Sequence, residues 1–151
     1  MLSRSASYAI RALSYMAANR PDDWSLNREI AHELELPPQF LTKILRALAN
    51  EGLLVSQRGK AGGFRLSRSP QSITLLEIAD PFDRLLDRRR CLLGHAVCND
   101  DSPCLLHSEW RAAFDSMIVV LRQRTLADVA AEAAALAPPS TNGGAGVERK
   151  D

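Results

Sequence analysis

Hydrophobic residues recur at helical spacing in three segments that follow one another at the start of the chain. The first segment covers residues 5–19 and ends before a proline and two aspartates. The second begins at Asn27, a residue suited to capping a helix, and stops in a short turn at Pro37 and Pro38. The third has Pro38 in its first turn and ends near Gly52. This pattern predicts three helices, of which the second and third form a helix-turn-helix.

The third predicted helix has an apolar face, which we expect to be buried, and an opposite polar face. The polar side chains can donate or accept hydrogen bonds at base edges and phosphates. They are Gln39, Thr42, Lys43, Arg46 and Asn50. A solvated polar face is common on small helical domains, so this helix alone does not establish DNA binding. The segment that follows it decides between the two interpretations.

Two strand-like segments, residues 53–57 and 64–67, follow the third helix and are joined by a turn rich in glycine and positive charge. A helix-turn-helix followed by such a hairpin is a winged helix. The turn carries Arg58, Gly59 and Lys60; glycine lets the backbone approach DNA closely, and Arg58 is placed to enter a minor groove. A nucleotide-phosphate loop is the competing interpretation, and it fails because no helix opens with Lys-Ser or Lys-Thr after the turn.

The rest of the chain is organised around one short helix, one loop and one longer helix. Thr74 and Glu77 form a capping-box pattern, which predicts a helix that ends at Pro81. The predicted fold class is mainly α with a small β-hairpin. The predicted regions are a winged helix-turn-helix over 1–70, a connecting helix over 71–87, a cysteine-rich loop over 88–107, a dimerisation helix and C-terminal helix over 108–136, and a disordered tail over 137–151.

An apolar stripe lies on the helix after the cysteines. Its members fall at i, i+4, i+7, i+8 and i+11 and are Trp110, Phe114, Met117, Ile118 and Leu121. Such a stripe is costly to expose, and a two-fold partner helix is the simplest cover. Packing on the molecule's own core is the alternative. Dimerisation also suits DNA binding, because paired recognition helices address half-sites about one helical turn apart.

The net charge of +1 hides an uneven distribution. Residues 1–68 contain ten Lys or Arg against six Asp or Glu, whereas residues 69–137 contain seven against ten. No apolar run approaches the roughly 20 residues that span a bilayer, and no signal-peptide core is evident. We therefore expect a cytoplasmic protein without a membrane partner. Thiols stay reduced in that compartment, which favours metal binding or redox sensing over a disulfide.

All three cysteines and two of the three histidines fall within residues 91–107. Cys91, Cys98, Cys104 and His107 offer three thiolates and an imidazole, a set that suits an iron-sulfur cluster, zinc or copper. Ordinary buried thiols are the alternative for the cysteines, and an exposed loop histidine is the favoured interpretation of His95. A structural zinc site without a sensing role also fits the ligands. An enzyme is not expected, because the sequence has no Cys-x-x-Cys pair and no second set of acid, base and nucleophile.

Several motifs taken together resemble one family, the winged-helix iron-sulfur transcription regulators of the IscR, NsrR, RirA and CymR type. The resemblance covers about residues 1–135. Its markers are SYAIRAL at 7–13, FLTKIL at 40–45, LLVSQRGKAGGFRL at 53–66, the three cysteines with His107 and Trp110, and TLAD at 125–128. The first cysteine interval is one residue longer than in IscR, and Thr42 replaces a glutamate that tunes base choice there.

The resemblance implies a homodimeric regulator, most often a repressor, that binds double-stranded DNA at a palindromic operator. It implies an iron-sulfur cluster in each subunit whose state changes DNA affinity. Cys91, Cys98 and Cys104 correspond to cluster ligands and His107 to the fourth ligand, which favours [2Fe-2S]. The alternative is [4Fe-4S] with a ligand from the other subunit's N-terminal region, where Ser5, Ser7 and Tyr8 lie. Zinc-stabilised or thiol-based regulation without a cluster is the runner-up.

Overall fold

The computed structural model describes residues 2–59, 62–86 and 91–136. Within these ranges the chain is mainly helical with one antiparallel hairpin, which confirms the predicted fold class. Lys60, the arginine run at 88–90 and the tail from 137 lie outside the described residues. The elements in chain order are α1 (Arg4–Asn19), α2 (Asn27–Glu33), α3 (Pro38–Asn50), β1 (Leu54–Gln57), β2 (Gly63–Leu66), a 3-10 turn (Pro70–Ser72), α4 (Leu75–Asp83), α5 (His107–Gln123) and α6 (Leu126–Leu136).

The main core lies between α1, α3 and the hairpin. Leu13 and Met16 of α1 are fully buried against Leu41, Leu45 and Leu48 of α3. Burying each large apolar side chain contributes about 1.5–3 kcal/mol, and this packing fixes the rotation of α3. Its polar residues therefore point away from the core, which is what a recognition helix requires.

The turn between α2 and α3 differs from the prediction in two details. Asn27 is the first residue of α2 and does not cap it; its Nδ2 instead donates to the carbonyl oxygen of Pro38 at 3.0 Å. The helix ends at Glu33, earlier than the predicted stop at Pro37 and Pro38, because Glu35 has a positive φ of 54° and breaks the helical path. Asn27 therefore ties α2 to the start of α3 across the turn.

The hairpin is attached to the segment between α1 and α2. Its strands pair Leu54 with Leu66 and Gln57 with Gly63. Ser25 and Phe64 exchange two backbone hydrogen bonds of 2.8 and 2.9 Å, which adds a short bridge on the other side of β2. A Cβ at Gly63 would lie 2.4 Å from the Ser25 carbonyl oxygen, so this position requires glycine. The wing is thus built onto the helical core.

The capping box at the start of α4 is present, with Thr74 and Glu77 bonded reciprocally. The prediction that this helix ends at Pro81 is wrong, because α4 continues to Asp83 and ends where Arg84 has a φ of 50°. Proline removes its own donor and crowds the carbonyl oxygen four residues earlier, but the Arg84 N–H still reaches the Asp80 carbonyl oxygen at 2.7 Å. The loss of one hydrogen bond does not stop the last turn.

Most of the apolar stripe on α5 has cover within its own chain. Leu121 is buried in a second cluster with residues of α1 and α4, and Phe114, Met117 and Ile118 pack against that cluster while partly exposed. The alternative of packing on the molecule's own core thus describes these four residues, because α4 lies alongside α5. Val119 and Val120, on the outer side of α5, are about half exposed at 49% and 55%. No helix in the described ranges is long and apolar enough to cross a membrane.

Candidate metal centre and DNA-binding surface

The structure brings the three cysteine sulfurs together. The Sγ atoms of Cys91, Cys98 and Cys104 all lie within 4.8 Å of one another, and those of Cys91 and Cys104 are 3.5 Å apart. Each cysteine is half-buried. Seven and six positions of sequence separate them, so this convergence reflects the path of the loop and not proximity along the chain.

His107 adds a nitrogen to the sulfur cluster. Its Nδ1 lies 3.2 Å from Cys98 Sγ. It is the first residue of α5, and its N–H donates to the Cys104 carbonyl oxygen at 3.1 Å, a turn that presents both side chains on one side. His95, the other histidine of this segment, is exposed, as expected for a loop histidine. His107 therefore adjoins the three-cysteine group through Cys98 and is not itself within 4.8 Å of all three sulfurs.

Turns, and not apolar packing, shape the loop. Gly94 has a φ of 75° and its N–H donates to the Cys91 carbonyl oxygen at 3.0 Å, which closes the first turn. Asn99 Oδ1 accepts from the N–H groups of Asp101 and Ser102 at 3.1 and 2.8 Å, which closes the second. Four of the loop's apolar side chains are exposed: Leu92, Leu93, Val97 and Leu105.

The environment favours thiolate at Cys91 and the thiol at Cys104. A hydrogen bond from the Leu106 N–H lowers the pKa of Cys104, but burial and the neighbouring sulfurs of Cys91 and Cys98 raise it by more. Burial raises the pKa of the Cys91 thiol, but hydrogen bonds from the backbone N–H groups of His95 and Leu93 and from the Cys104 thiol outweigh it and bring that pKa to about 7. The thiolate is the form that ligates metals. The four predicted ligands line a pocket of about 180 Å³ whose other walls include Trp110 and Phe114.

This donor set fits the implied metal groups. Three thiolates and one imidazole within a few ångströms can hold an iron-sulfur cluster or a tetrahedral zinc ion. The pocket has an apolar wall from two aromatic rings, whose centroids are 6.3 Å apart. Such a wall limits solvent access, which tunes the potential of a bound metal.

Two residues beside His107 were missed by the sequence reasoning. His107 Nε2 lies 3.2 Å from Asp100 Oδ1, and the Arg111 guanidinium donates to the same oxygen. The hydrogen bond from Arg111, with a smaller contribution from His107, lowers the pKa of Asp100 below its usual value. The signal in the sequence is faint: His107 and Arg111 are four residues apart on a helix, and Asp100 is one of two consecutive aspartates in a turn.

The predicted DNA-binding residues of α3 lie on its outer face. Gln39, Lys43 and Arg46 are exposed. Thr42 is half-buried, and its hydroxyl donates to the Pro38 carbonyl oxygen at 2.8 Å. This hydroxyl proton is therefore engaged within α3, and Thr42 is left with acceptor capacity.

The wing presents Arg58 and Gly59 at its tip, both exposed. Gly59 has a φ of 108°, and the Gly62 N–H donates to its carbonyl oxygen at 3.0 Å. A Cβ at Gly62 would lie 2.3 Å from the Gln57 carbonyl oxygen, so the tight turn depends on glycine. The guanidinium of Arg65 lies 5.0 Å from the Trp24 ring centroid, a second contact that braces the wing.

Comparison with known proteins identifies a family with this architecture. A family model described as Rrf2, an iron-dependent transcriptional regulator, matches residues 2–132. A relative in Aquifex aeolicus, assigned as an HTH-type transcriptional regulator, is 36% identical over 105 residues, which are 68% of this chain and 72% of the relative.

Two solved structures share the fold. IscR of T. potens superposes with a TM-score of 0.71 at 24% identity, covering 91% of this chain and 92% of that one. CymR, the global cysteine regulator of B. subtilis, superposes with a TM-score of 0.69 at 24% identity, covering 87% and 97%. The winged helix, the gathered cysteines and the family match agree, and the chain belongs to the Rrf2 family of DNA-binding transcriptional regulators.

Proposed function

We propose that this protein is a cytoplasmic, homodimeric regulator whose affinity for a palindromic operator in double-stranded DNA is controlled by an iron-sulfur cluster. Cys91, Cys98, Cys104 and His107 hold the cluster. The observation that carries the proposal is the meeting of three sulfurs within 4.8 Å, with His107 Nδ1 at 3.2 Å from one of them. Turns deliver these groups to one point, although the loop has little apolar packing of its own.

The spacing of the ligands supports [2Fe-2S] over [4Fe-4S]. The closest contacts form two pairs, Cys91 with Cys104 at 3.5 Å and Cys98 with His107 at 3.2 Å. Two ligands on each of two irons satisfy a [2Fe-2S] core from one chain. The N-terminal residues Ser5, Ser7 and Tyr8 offer hydroxyls only, so they supply no carboxylate or imidazole for a ligand from another subunit.

DNA is bound by the outer face of α3 and by the wing. Gln39, Lys43 and Arg46 enter the major groove, and Arg58 with the Gly59 turn contacts the backbone or minor groove, with Lys60 adding charge. Thr42 contributes an acceptor. Two copies of this unit address the two halves of a palindrome. Repression follows when the bound dimer excludes the transcription machinery.

The dimer forms through α5. The partly exposed edges of Trp110, Phe114, Met117 and Ile118 and the outward Val119 and Val120 make its apolar surface, with Leu121 anchoring the helix to its own core. A half-exposed apolar strip along a 17-residue helix suits a two-fold partner helix.

The cluster site is connected to the DNA-binding unit through α5. This helix starts at His107 and leads into Arg124, whose carbonyl oxygen accepts the Leu75 N–H at the start of α4 at 2.9 Å. The other end of α4 bonds to α1, because Asp83 accepts the Ser3 N–H at 2.9 Å. If ligation of a metal favours one position of His107, loss of the metal shifts α5 and α4. The recognition helices of the two subunits shift with them.

The test is anaerobic purification followed by a visible spectrum and iron, sulfide and zinc analysis of one sample. We expect a brown protein with iron and acid-labile sulfide, and two irons per chain for [2Fe-2S]. Colourless protein with one zinc per chain would replace the proposal with a structural zinc site. Colourless protein that takes up no metal on anaerobic reconstitution would leave the thiols as the sensor.

A thiol-based regulator is the second candidate, favoured by one observation. Cys91 has a pKa of about 7 and its sulfur lies 3.5 Å from that of Cys104. An oxidant such as a peroxide would take two electrons from this pair and leave a disulfide. Mass spectrometry of the oxidised, metal-free protein separates this candidate from the cluster, because it predicts a Cys91–Cys104 crosslink at oxidant levels that alter DNA binding.

A further inference from the structure

Asp100 and Arg111 brace His107 from the side away from the sulfurs. His107 Nδ1 faces Cys98 Sγ at 3.2 Å, and Nε2 faces Asp100 Oδ1 at 3.2 Å. An ionised carboxylate only accepts hydrogen bonds, so Nε2 carries the hydrogen in this contact, and the Nδ1 of the neutral ring presents its lone pair to the sulfurs. We propose that Asp100 is a positioning residue that selects His107 Nδ1 as the metal-ligating atom. This rests on the proposed function.

The position of Asp100 is set from both sides. Asn99 Oδ1 closes the turn that carries Asp100 by accepting from two N–H groups, at 3.1 and 2.8 Å. Arg111 lies one helical turn after His107 on α5 and donates to the same Oδ1 that faces the histidine. Asp100 is 73% exposed, so its Coulomb attraction to either partner is screened by solvent. The turn and the shared oxygen therefore hold the geometry.

The brace has a chemical consequence for the ligand. A carboxylate that accepts the N–H of a ligating imidazole fixes the ring orientation and raises the basicity of the ligating nitrogen. A more basic nitrogen stabilises the oxidised metal relative to the reduced metal. Removing the Asp100 carboxylate should therefore move the midpoint potential to a more positive value and loosen the metal. Loss of such partners typically costs 10- to 100-fold in metal affinity.

The first arm of the test uses the metal-free full-length chain and does not depend on the cluster. NMR of the histidine ring nitrogens is recorded above the usual histidine pKa of about 6.5. We expect His107 to be the Nε2–H tautomer. Its Nε2 proton should exchange with solvent at least about tenfold faster in Asp100→Ala than in the unmodified chain, the scale of a lost hydrogen bond. Asp101→Ala is the matched control, because the Asp101 carboxylate does not contact His107 in the described part of the chain. A His107 Nδ1–H form, or unchanged exchange in Asp100→Ala, overturns the proposal.

The second arm uses the anaerobically loaded protein. In Asp100→Ala we expect a more positive midpoint potential, about tenfold faster release of iron to a chelator, and a changed coupling of the ligating nitrogen in the pulsed EPR spectrum of the reduced protein. Asp101→Ala should match the unmodified chain, and Asp100→Glu should recover part of the difference. Failure of Asp100→Ala to load while Asp100→Glu and Asp101→Ala load also supports the brace. Equal changes in Asp100→Ala and Asp101→Ala would overturn the proposal. They would show that the loss of a negative charge, and not the loss of a contact with His107, causes the changes.

The two experiments distinguish failure of the positioning role of Asp100 from failure of the proposed function. If the unmodified chain takes up no iron, the proposed function fails, and the exchange rate of the His107 proton still decides whether Asp100 positions the ring.

Discussion

The winged-helix elements and the cysteine loop are held together by different forces. In the helical core, residues such as Leu13, Leu45 and Leu48 are fully buried, and hydrophobic burial provides the stability. In the loop, Leu92 and Leu105 remain 53% and 88% exposed, and turns set the path of the chain. We expect the helical core to fold without a metal, because its stability comes from hydrophobic burial. The loop brings the cysteine and histidine side chains together with little apolar packing of its own.

The weak packing of the cysteine loop bears on how the protein could sense a signal. A segment with few buried apolar contacts can change its arrangement at low cost. The DNA-binding unit must keep its shape to recognise an operator. In the proposed function, the predicted ligands lie on a weakly packed loop at the start of α5, so the metal state would act on this helix without unfolding the DNA-binding unit.

The largest effect is expected from Cys98→Ala, which removes one predicted ligand of the proposed cluster. We expect the visible absorption and bound iron to be lost completely, because Cys98 is close to both His107 and the other sulfurs. The far-UV circular dichroism should be retained, since the helical core does not depend on the loop. Val97→Ala, at an exposed neighbouring position, is the control and should keep its iron. Loss of helicity in Cys98→Ala would show that the metal is a structural element of the fold.

Leu45→Ala tests the other region. Leu45 is fully buried in the main core, so the substitution leaves a cavity and should lower the free energy of unfolding by about 2–5 kcal/mol. Leu105→Ala, at an exposed position of the loop, should change it by less than about 0.5 kcal/mol. Urea unfolding of the metal-free protein measures both. Similar losses of the free energy of unfolding in the two variants would show that the loop is packed as tightly as the helical core.

Local signals predicted the helical region well, and tertiary contacts account for its errors. The Thr74–Glu77 capping box and the left-handed Gly52 are local features, and both are present. Asn27 was expected to cap α2, but its amide bonds to Pro38, a partner supplied by the turn. The stripe on α5 was expected to pair with a second molecule; α1 and α4 cover part of it, and its pairing with a partner helix stays a prediction. Hydrophobic spacing shows that a face is buried without showing what buries it.

The candidate metal site was predictable for a different reason. Metal ligands are rare residue types, so their clustering in sequence is visible, and the structure brings Cys91, Cys98, Cys104 and His107 together. The brace on His107 was not visible in this way. Asp100 and Arg111 are common surface residues, and only the turn at Asn99 brings the carboxylate to the ring.

Arg58→Ala should weaken operator binding without affecting the metal. Arg58 is exposed at the tip of the wing, where a phosphate contact releases counterions. We expect roughly tenfold weaker binding, about 1.4 kcal/mol, and a slope of log affinity against log salt that is smaller by about 1 for each lost contact. Arg122→Ala on α5 removes the same charge outside the winged helix and is the control. Equal losses in the two variants would place the DNA surface elsewhere.

The smallest effect is expected from Glu77→Gln, which tests an electrostatic contribution within the helical region. Burial by itself raises the pKa of Glu77, but hydrogen bonds from Arg68 at 2.5 Å and from Thr74 at 2.9 Å lower it by more. Gln keeps the shape and an acceptor for the Thr74 N–H, so the change removes mainly the charge. Both partners of the ion pair are 41% exposed, and screening limits the expected loss to less than about 1 kcal/mol at neutral pH.

The pH dependence of this difference gives the sharper test. Because the folded-state pKa of Glu77 lies below the unfolded value of about 4.3, its ionisation stabilises the fold above that value and stops doing so as the pH falls through the folded pKa. The difference in the free energy of unfolding between the original chain and Glu77→Gln should therefore be largest at neutral pH and vanish in acid. The control, Glu132→Gln on α6, should differ little from the original chain at either pH. Urea midpoints at neutral and acidic pH measure it. If this stability difference instead grew in acid, the protonated glutamate would stabilise the fold more than glutamine does. The capping box would then depend on the shape of the side chain and not on its charge.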